Sequence, residues 1–196
     1  MHDRDIEFLF EIGTLRNMDR GWKQHLAMNC ASDLEHSFRV ALLALMLARR
    51  EGAKDEEKIL KMALVHDLAE ARVSDHSYMQ KVYVQADEAR AAEDLFRGTM
   101  LDDLRSKILH EFEERQTIEA KIVKDADNLD IDLELKELEE AGSKLPAKWA
   151  ETRRKVREEK LYTASAKAFW DEIQGADPAA WHLFSNKWYK VPHAGK

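Results

Sequence analysis

Ile59-Leu-Lys-Met-Ala-Leu-Val-His-Asp-Leu-Ala69 is the stretch of sequence that decides the fold. Eight of its eleven residues are apolar, and at helical spacing they point in every direction around the axis. The stretch Phe38-Arg-Val-Ala-Leu-Leu-Ala-Leu-Met-Leu-Ala48 is more apolar still, because only Arg39 is polar. Helices of this kind lie in the centre of a bundle. We therefore predict two central helices, and the polar residues that they carry become the informative ones.

The flanking sequence carries start and stop signals for further helices. Ser32 and Glu35 have the spacing of a capping box, which predicts a helix to about Arg50, and Gly52 follows as its stop signal. Gly (7) and Pro (3) are too scarce for the turns of a many-stranded sheet. Other helices are predicted at 5–15, 55–71, 82–97, 101–114 and 117–140, with a loop at 16–31 and with Pro146 and Asp177-Pro178 opening two more. The predicted fold is all-α, a compact multi-helix bundle. We expect one domain over 1–196, with its motifs at about 5–140 and C-terminal helices at 141–190.

Charge and cysteine content exclude several classes of protein. The formal net charge of -7 argues against binding a long nucleic-acid backbone, but it allows a small phosphorylated ligand held by a few cations. Cys30 is the only cysteine, which favours a reducing compartment. The longest uncharged apolar run, Val40 to Ala48, is too short to span a bilayer, and the charged start does not resemble a signal peptide. We expect a soluble cytoplasmic protein with no nucleic-acid or membrane partner.

His66 and Asp67 are polar residues inside an otherwise apolar predicted helix. An unpaired carboxylate there is costly or takes up a proton, so Asp67 needs an arginine, hydrogen-bond donors or a metal ion as its partner. Glu70 follows His66 by four residues and shares its helix face. The alternative is a buried His-Asp pair held by hydrogen bonds, which is the commoner arrangement for an isolated His-Asp dipeptide.

Two further positions favour a metal ion. His36 heads the other apolar helix, where a core histidine has little polar company. Asp127 has the apolar residues Val123 and Ile131 at a distance of four residues on either side, which predicts that it is buried. Three predicted central helices thus each bring an imidazole or a carboxylate inward. Such a mixed ligand set suits a divalent cation.

The other aspartates near Asp127 are interpreted as ordinary charges. Asp125 has Lys121 four residues before it, which predicts a surface ion pair. Asp130 and Asp132 are interpreted as charges on the flank of the helix. None of the three belongs to the predicted site.

The order of these residues resembles the HD superfamily of metal-dependent phosphohydrolases, and more closely its small 5′-deoxynucleotidase branch. The central matches are Glu35-His36-Ser37, then His66-Asp67 with Glu70, then Ala126-Asp127. Further matches are Gly21-Trp22 before His36, Asp75 eight residues after Asp67, Lys81, and the stretch from Glu119 to Leu129. The resemblance covers about residues 5–140. It implies an HD-domain bundle with a metal site between its central helices.

The resemblance also implies the parts of a catalytic centre. One divalent cation, for example Co²⁺, Mn²⁺ or Mg²⁺, would be held by His36, His66, Asp67 and Asp127. Such a cation lowers the pKa of bound water and neutralises charge on a phosphoryl oxygen. Glu70 would be the general acid or base, because that task needs a carboxylate near the metal but not on it.

The substrate pocket departs from the family more than the metal site does. Asp75 would contact the sugar 3′-hydroxyl, Trp22 would pack near the nucleotide, and Lys81 would complete the pocket. Arg20 is our candidate for the phosphate clamp, since a guanidinium group suits phosphate oxygens. However, Ser74 stands where the family usually has Gly, and the family's common Pro-Glu is missing around Cys30-Ala31.

The leading hypothesis is hydrolysis of a nucleoside 5′-monophosphate, preferably deoxy, by a homodimer. One rival changes the substrate to a nucleoside triphosphate or another small phosphate ester. Another is a non-catalytic nucleotide- or metal-binding module, against which Glu70 argues. A di-iron oxygenase would need His76 or His110 on a second metal, and we interpret both histidines as solvated. The C-terminal aromatic residues are interpreted as a core or subunit-contact stripe: Trp181, Phe184 and Trp188.

Overall fold

A computed structural model describes residues 3–183 of the chain. Within that range it contains helices and one isolated antiparallel β-bridge, between Asp19 and Ser32, but no strand. The helices are α1 (Asp3–Ile12), α2 (Lys23–Leu26), α3 (Asp33–Glu51), α4 (Glu56–Val65), α5 (Glu70–Val73), α6 (Glu88–Phe96), α7 (Asp102–Leu104), α8 (His110–Glu114), α9 (Ile118–Glu140), α10 (Leu145–Glu159), α11 (Ala164–Gly175) and α12 (Ala180–Leu183). The predicted all-α fold is confirmed. Phe184 and Trp188 lie outside the described residues.

Helices α3, α4 and α9 pack against one another and form the centre of the bundle. Helices α8, α10 and α11 pack against α9 from outside. The core between them is closed by large side chains that are fully buried, among them Leu47, Ile59, Met62, Ile122 and Leu129. None of the helices within residues 3–183 has the length and apolar character needed to cross a membrane.

The predicted capping box sets the start of α3. The Ser32 hydroxyl accepts a hydrogen bond from the Glu35 amide, and the Glu35 carboxylate accepts one from the Ser32 amide at 2.7 Å. Gly52 ends the helix with a φ of 69°, a left-handed conformation that glycine adopts without steric cost. Both boundaries agree with the sequence-based prediction because both depend on local residues alone.

The prediction that α3 and α4 are buried all round is wrong on one side of each helix. Phe38 is 69% exposed, and Leu42 and Met46 continue the same exposed face of α3. Leu60 and Leu64 are exposed on α4. An apolar composition indicates which faces avoid water, but it does not indicate whether another part of the same chain covers them.

The predicted helix at 55–71 is interrupted at His66 and Asp67, two of the predicted metal ligands. Helix α4 ends at Val65, and the amides of Leu68, Glu70 and Ala71 then donate to carbonyls only three residues back. These tighter turns lead into the short helix α5. His66 and Asp67 therefore lie just beyond the end of α4, where their side chains are free of the regular helical spacing.

Two other segments differ from the predicted pattern. The helix predicted at 82–97 begins only at Glu88, because the Asp87 carboxylate accepts a hydrogen bond from the Arg90 amide and caps it. The predicted helix at 101–114 is continuous, but it contains a π-helical turn at Arg105–Leu109. In the C-terminal part, α10 has Pro146 in its first turn, as predicted.

Candidate active site

Four side chains from three elements converge in the centre of the bundle. His36 comes from α3, His66 and Asp67 from the turn after α4, and Asp127 from α9. One ligand-type atom of each lies within 4.8 Å of the other three. His36 Nε2 is 3.3 Å from Asp127 Oδ1, and His66 Nε2 is 3.1 Å from Asp67 Oδ2. The structure thus brings together the four residues that the sequence predicts as metal ligands.

Both imidazole rings turn Nε2 toward this cluster. His36 Nδ1 donates to Asp130 Oδ2 at 2.6 Å, and His66 Nδ1 donates to the Ala63 carbonyl at 2.8 Å. These contacts favour a proton on Nδ1 in each ring, so Nε2 can act as a ligand when the ring is neutral. Both Nε2 atoms are buried and have no hydrogen-bond partner. Two orphaned imidazole nitrogens beside two carboxylates are a donor set that fits a divalent cation.

The electrostatics of the cluster favour a positive charge at its centre. Burial alone would raise the pKa of Asp67, but the facing His66 and His36 hold that pKa well below its usual range. Burial likewise opposes ionisation of Asp127, where Lys124 and His36 outweigh it and keep the pKa low. Burial would lower the pKa of His36, yet the carboxylates around it hold the pKa well above its ordinary value. The site is built to hold ionised carboxylates around a cation.

The prediction that Asp130 and Asp132 are flank charges is wrong. Asp130 is 1% exposed and accepts hydrogen bonds from His36 and from Arg39 Nε. Asp132 is 3% exposed and accepts two from Arg153 of α10, at 2.9 and 2.6 Å. Asp130 is therefore a site residue missed in the sequence. Its signal was Arg39, the one polar residue of an apolar stretch, which needed a buried partner.

Asp125 also differs from its prediction. Instead of forming a surface pair with Lys121 it is fully buried, and it accepts hydrogen bonds from the amides of Tyr162 and Thr163 and from the Thr163 hydroxyl. These bonds join α9 to the start of α11, which lies within the region of the predicted C-terminal helices. The role of Asp125 is structural.

A second polar cluster adjoins the first through Arg20. Arg20 Nη1 lies 3.5 Å from Asp67 Oδ2 and 3.7 Å from Asp33 Oδ1, while its Nε lies 3.3 Å from Asp75 Oδ2. Asp33, Glu70 and Asp75 have carboxylate oxygens within 4.8 Å of one another. The buried guanidinium group thus offsets part of the negative charge that these carboxylates share.

Glu70 and Asp33 retain protons more strongly than ordinary carboxyl groups do. Burial, reinforced by the charges of Asp67 and Asp75, raises the pKa of Glu70 to about 10. Burial also raises the pKa of Asp33 to about 7, although Arg20 opposes the shift. Glu70 Oε2 is buried without a hydrogen-bond partner. A protonated carboxyl group beside a cation site is suited to donate a proton.

The four predicted substrate residues line a single cavity of about 460 Å³. They are Arg20, Trp22, Asp75 and Lys81. Asp75 Oδ2 accepts a hydrogen bond from the Gly21 amide at 2.9 Å, and Lys81 Nζ is 4.0 Å from Asp75 Oδ1. The structure therefore brings these four residues together, and Arg20 connects their cavity to the four-residue cluster through Asp67.

The two histidines that a second metal would need are elsewhere. His76, predicted to be solvated, is half-buried in the wall of the cavity. His110 is exposed and lies 3.6 Å from Glu114. Neither belongs to the four-residue cluster around His36.

Arg115 is a further cation near the cluster. Its guanidinium group lies 3.4 Å above the centre of the Phe112 ring, and that ring meets the His66 ring edge-on at 5.6 Å. Nη1 is buried without a hydrogen-bond partner, and burial lowers the pKa of the group. Nothing in the local sequence marks it, because the contacts come from folding.

Comparisons with known proteins identify the family of the chain. The chain is similar to "5'-deoxynucleotidase HDDC2" of Danio rerio, with 32% identity over 72% of this chain and 73% of that protein. It is 28% identical to "5'-deoxynucleotidase HDDC2" of Homo sapiens, over 71% of this chain and 70% of that one. A solved structure of a conserved hypothetical protein from Pyrococcus furiosus superposes with a TM-score of 0.73 at 29% identity, covering 87% of this chain and 99% of that chain. The family model described as "HD domain" matches residues 12–170. The chain therefore belongs to the HD-domain family.

Proposed function

We propose that the protein is a metal-dependent phosphohydrolase that converts (deoxy)nucleoside 5′-monophosphates to nucleoside and inorganic phosphate. The proposal rests on one observation: a group of side chains suited to bind a cation is connected to a cavity large enough for a small ligand. Arg20 forms this connection, because it contacts Asp67 and also lines the cavity. The names of the similar proteins, which specify 5'-deoxynucleotidases, support the choice of substrate.

The metal centre would consist of His36, His66, Asp67 and Asp127 with one divalent cation. When bound, the cation lowers the pKa of water and neutralises charge on a phosphoryl oxygen. In the metal-free chain, burial raises the pKa of Glu70 to about 10, so the carboxyl group is protonated at neutral pH before the cation binds. Glu70 would therefore act as the acid that protonates the departing 5′-oxygen of the nucleoside.

Cationic and polar groups around the cluster suit an anionic sugar phosphate. Arg20 is held in place by three carboxylates and would bind phosphate oxygens without having to be ordered first. Arg115 adds an unpaired positive charge near His66. Asp75, fixed by the Gly21 amide, would accept a hydrogen bond from a sugar hydroxyl, and Lys81 would approach from the cavity mouth.

As a whole, the protein would be a single-domain, cytoplasmic homodimer. Contacts of α10 and α11 with α9 support one domain rather than a separate C-terminal unit. The free cysteine Cys30 is consistent with a reducing compartment. The exposed apolar residues Phe38, Leu42 and Met46 on α3 offer a surface for a second copy of the chain.

A phosphate-release screen tests the function. The purified chain is assayed with Co²⁺, Mn²⁺ or Mg²⁺ against ribo- and deoxynucleoside mono- and triphosphates. We expect the highest kcat/KM on a deoxynucleoside 5′-monophosphate and complete loss of release with a chelator. Preference for a triphosphate would replace the substrate in our proposal, and the absence of release from every phosphate ester would leave only a binding module.

Two variants assign the release to this site. Asp67→Asn removes a ligand, so we expect both metal affinity and release to be lost. Glu70→Ala leaves the four ligands intact, so we expect metal binding to persist while release falls at least about 100-fold, the typical contribution of a general acid. Metal-dependent release that survives Asp67→Asn would place the chemistry elsewhere.

A further inference from the structure

The cavity beside the metal cluster has an aromatic wall. Trp22 and Trp149 are nearly parallel, with 12° between their planes and 6.1 Å between ring centres. Tyr78 meets Trp149 edge-on at 6.4 Å, and His25 packs against Tyr78 at 5.0 Å. Trp22, Tyr78 and Trp149 all line the cavity. Its volume of about 460 Å³ lies in the range of small-molecule sites.

Trp149 reaches this wall from outside the predicted motif region. It belongs to α10, which supplies none of the four residues of the metal cluster. Helix α10 is fixed against α9 by Arg153, which donates to Asp132 at 2.6 Å and to the Asn128 carbonyl at 2.7 Å. The position of Trp149 is therefore set by the fold rather than by a flexible terminus.

The rings pack against one another, but Trp22, Tyr78 and Trp149 each keep part of their surface accessible. Tyr78 is 60% exposed, and Trp22 and Trp149 are only half-buried. The lining near Trp149 includes Ile131 and Val156. Arg153, the cation of this part of the lining, is already paired with Asp132. A wall of partly accessible aromatic rings with apolar neighbours suits a flat π-system better than it suits a phosphate or a sugar.

We propose that Trp149, together with Trp22 and Tyr78, forms the subsite that holds the nucleobase of the substrate by stacking. The inference rests on the proposed nucleotidase function and names a binding residue for that site. Arg20 and Asp75 line the same cavity as the three rings, and Arg20 also contacts Asp67 of the cluster. A nucleotide with its base on the rings would thus have its phosphate on the side of Arg20. Trp149 acts through binding and takes no part in bond cleavage.

Steady-state kinetics with two substrates tests this subsite. Deoxyadenosine 5′-monophosphate has a base, whereas 2-deoxyribose 5-phosphate offers the same sugar and phosphate without one. For Trp149→Ala we expect kcat/KM on the nucleotide to fall roughly 5- to 100-fold, mostly through KM, the size expected for loss of one stacking partner. On the base-free substrate we expect a change of less than about twofold. An equal loss on both substrates, or no loss on the nucleotide, would overturn the proposal.

Control variants separate stacking from folding. Trp181→Ala removes an exposed tryptophan of α12 that does not line the cavity, and we expect wild-type kinetics. Trp149→Phe keeps a π-face and should retain most of the affinity. Trp149→Leu keeps an apolar side chain without a π-face and should lose as much as Trp149→Ala, so a result is obtained even if the alanine variant does not fold.

A binding experiment distinguishes failure of this subsite from failure of the proposed function. Isothermal titration calorimetry with deoxyadenosine, which has no phosphate, requires no turnover. If the wild type binds deoxyadenosine and Trp149→Leu does not, the base subsite is correct even if no phosphate ester is hydrolysed. If nucleotides are hydrolysed but deoxyadenosine binding is the same in both proteins, the subsite is wrong and the nucleotidase function stands.

Discussion

Asp130 orients His36 without being a candidate metal ligand itself. Its carboxylate accepts the Nδ1–H of His36 at 2.6 Å and is held in turn by Arg39. This arrangement presents Nε2 to the cluster and increases the basicity of the ring. Asp130 is therefore as much a part of the centre as the four residues that the sequence predicts.

Replacing Asp130 should weaken metal binding more than it weakens the fold. For Asp130→Asn we expect a 10- to 100-fold loss of Mn²⁺ or Co²⁺ affinity, the usual effect of removing a carboxylate that orients a ligand histidine. Calorimetric titration of the metal measures it. Asp125→Asn is the matched control, since Asp125 is equally buried on the same helix but bonds Thr163 rather than a histidine. It should lower the melting temperature and leave metal affinity unchanged, so equal affinity losses in both variants would contradict this role.

Asp33 should make the stability of the metal-free protein depend on pH. Burial raises its pKa from 3.8 to about 7 in the folded chain, so the folded state binds the proton more tightly than the unfolded state does. Its contribution to the free energy of unfolding is complete below about pH 4 and is lost as the pH rises through about 7. With a chelator present, thermal melts of Asp33→Asn should show an advantage over the wild type that grows from pH 4 to pH 7 and then levels off. If the melting temperatures of the two proteins follow parallel curves against pH, burial does not raise the pKa of Asp33.

At the residue scale, the sequence predicts those properties of the site that depend on neighbours within the same helix. The burial of Asp127 follows from Val123 and Ile131 in the same helix. The partners of Asp125, Asp130 and Asp132 come from α11, α3 and α10, and no spacing within one helix reveals them. For the same reason Trp149 could not be connected with the site before the position of α10 was known.

At the element scale, helix ends that local capping residues determine are predicted correctly, whereas those that depend on the rest of the fold are not. The ends of α3 are correct because Ser32, Glu35 and Gly52 act on their own backbone. The predicted end of α4 and the predicted start of α6 are wrong. Apolar periodicity continues through both of the observed boundaries, Val65 and Glu88, while the backbone hydrogen bonds change there. The change at Val65 matters most, since His66 and Asp67 of the cluster follow it directly.

Gly21 holds together the two loops that carry the substrate residues. Its amide donates to Asp75 Oδ2, and a Cβ atom at this position would lie 2.5 Å from the Ser77 amide nitrogen and 2.6 Å from the Asp75 carbonyl oxygen. Only glycine permits so close an approach of two backbones. The glycine therefore sets the distance between Trp22 on one loop and Asp75 on the other.

Gly21→Ala should force these two loops apart. We expect kcat/KM for the nucleotide to fall about 100-fold, the scale of loss for a displacement of about 1 Å in a catalytic site. Metal affinity should change little, because none of the four cluster residues is on these loops. Gly175→Ala is the matched control, since a Cβ atom there meets nothing within 4 Å, and it should behave as the wild type. Wild-type kinetics in Gly21→Ala would mean that the loops can separate without harm.

At the scale of the whole molecule, α3 combines a buried face that carries His36 with an exposed apolar face. Leu34, Phe38, Leu42 and Met46 follow one another every four residues and are 44%, 69%, 47% and 55% exposed. Phe38 stands between two surface grooves and lines both. A ridge with a groove on either side can fit its own copy around a two-fold axis, because the ridge of each subunit then fills a groove of the other. No other described helix of this chain covers that face, so the homodimer of our proposal is the occupant that the shape favours.

Phe38→Arg should therefore separate the subunits. Two phenylalanine rings leave water in a two-fold interface, and burial of each contributes about 2 kcal/mol, so replacing them with charged groups should raise the dimer dissociation constant by about 100- to 1000-fold. Light scattering after size-exclusion chromatography should show the molar mass falling from twice the 22.7 kDa of the chain to that of one chain.

Tyr83→Arg changes an aromatic side chain that is 82% exposed and lines neither groove, and it should remain dimeric. Since His36 faces the opposite side of α3, the monomeric variant should keep its metal affinity. A wild type that is already monomeric at about 100 μM, well above the dissociation constants of specific dimers, would contradict the homodimer.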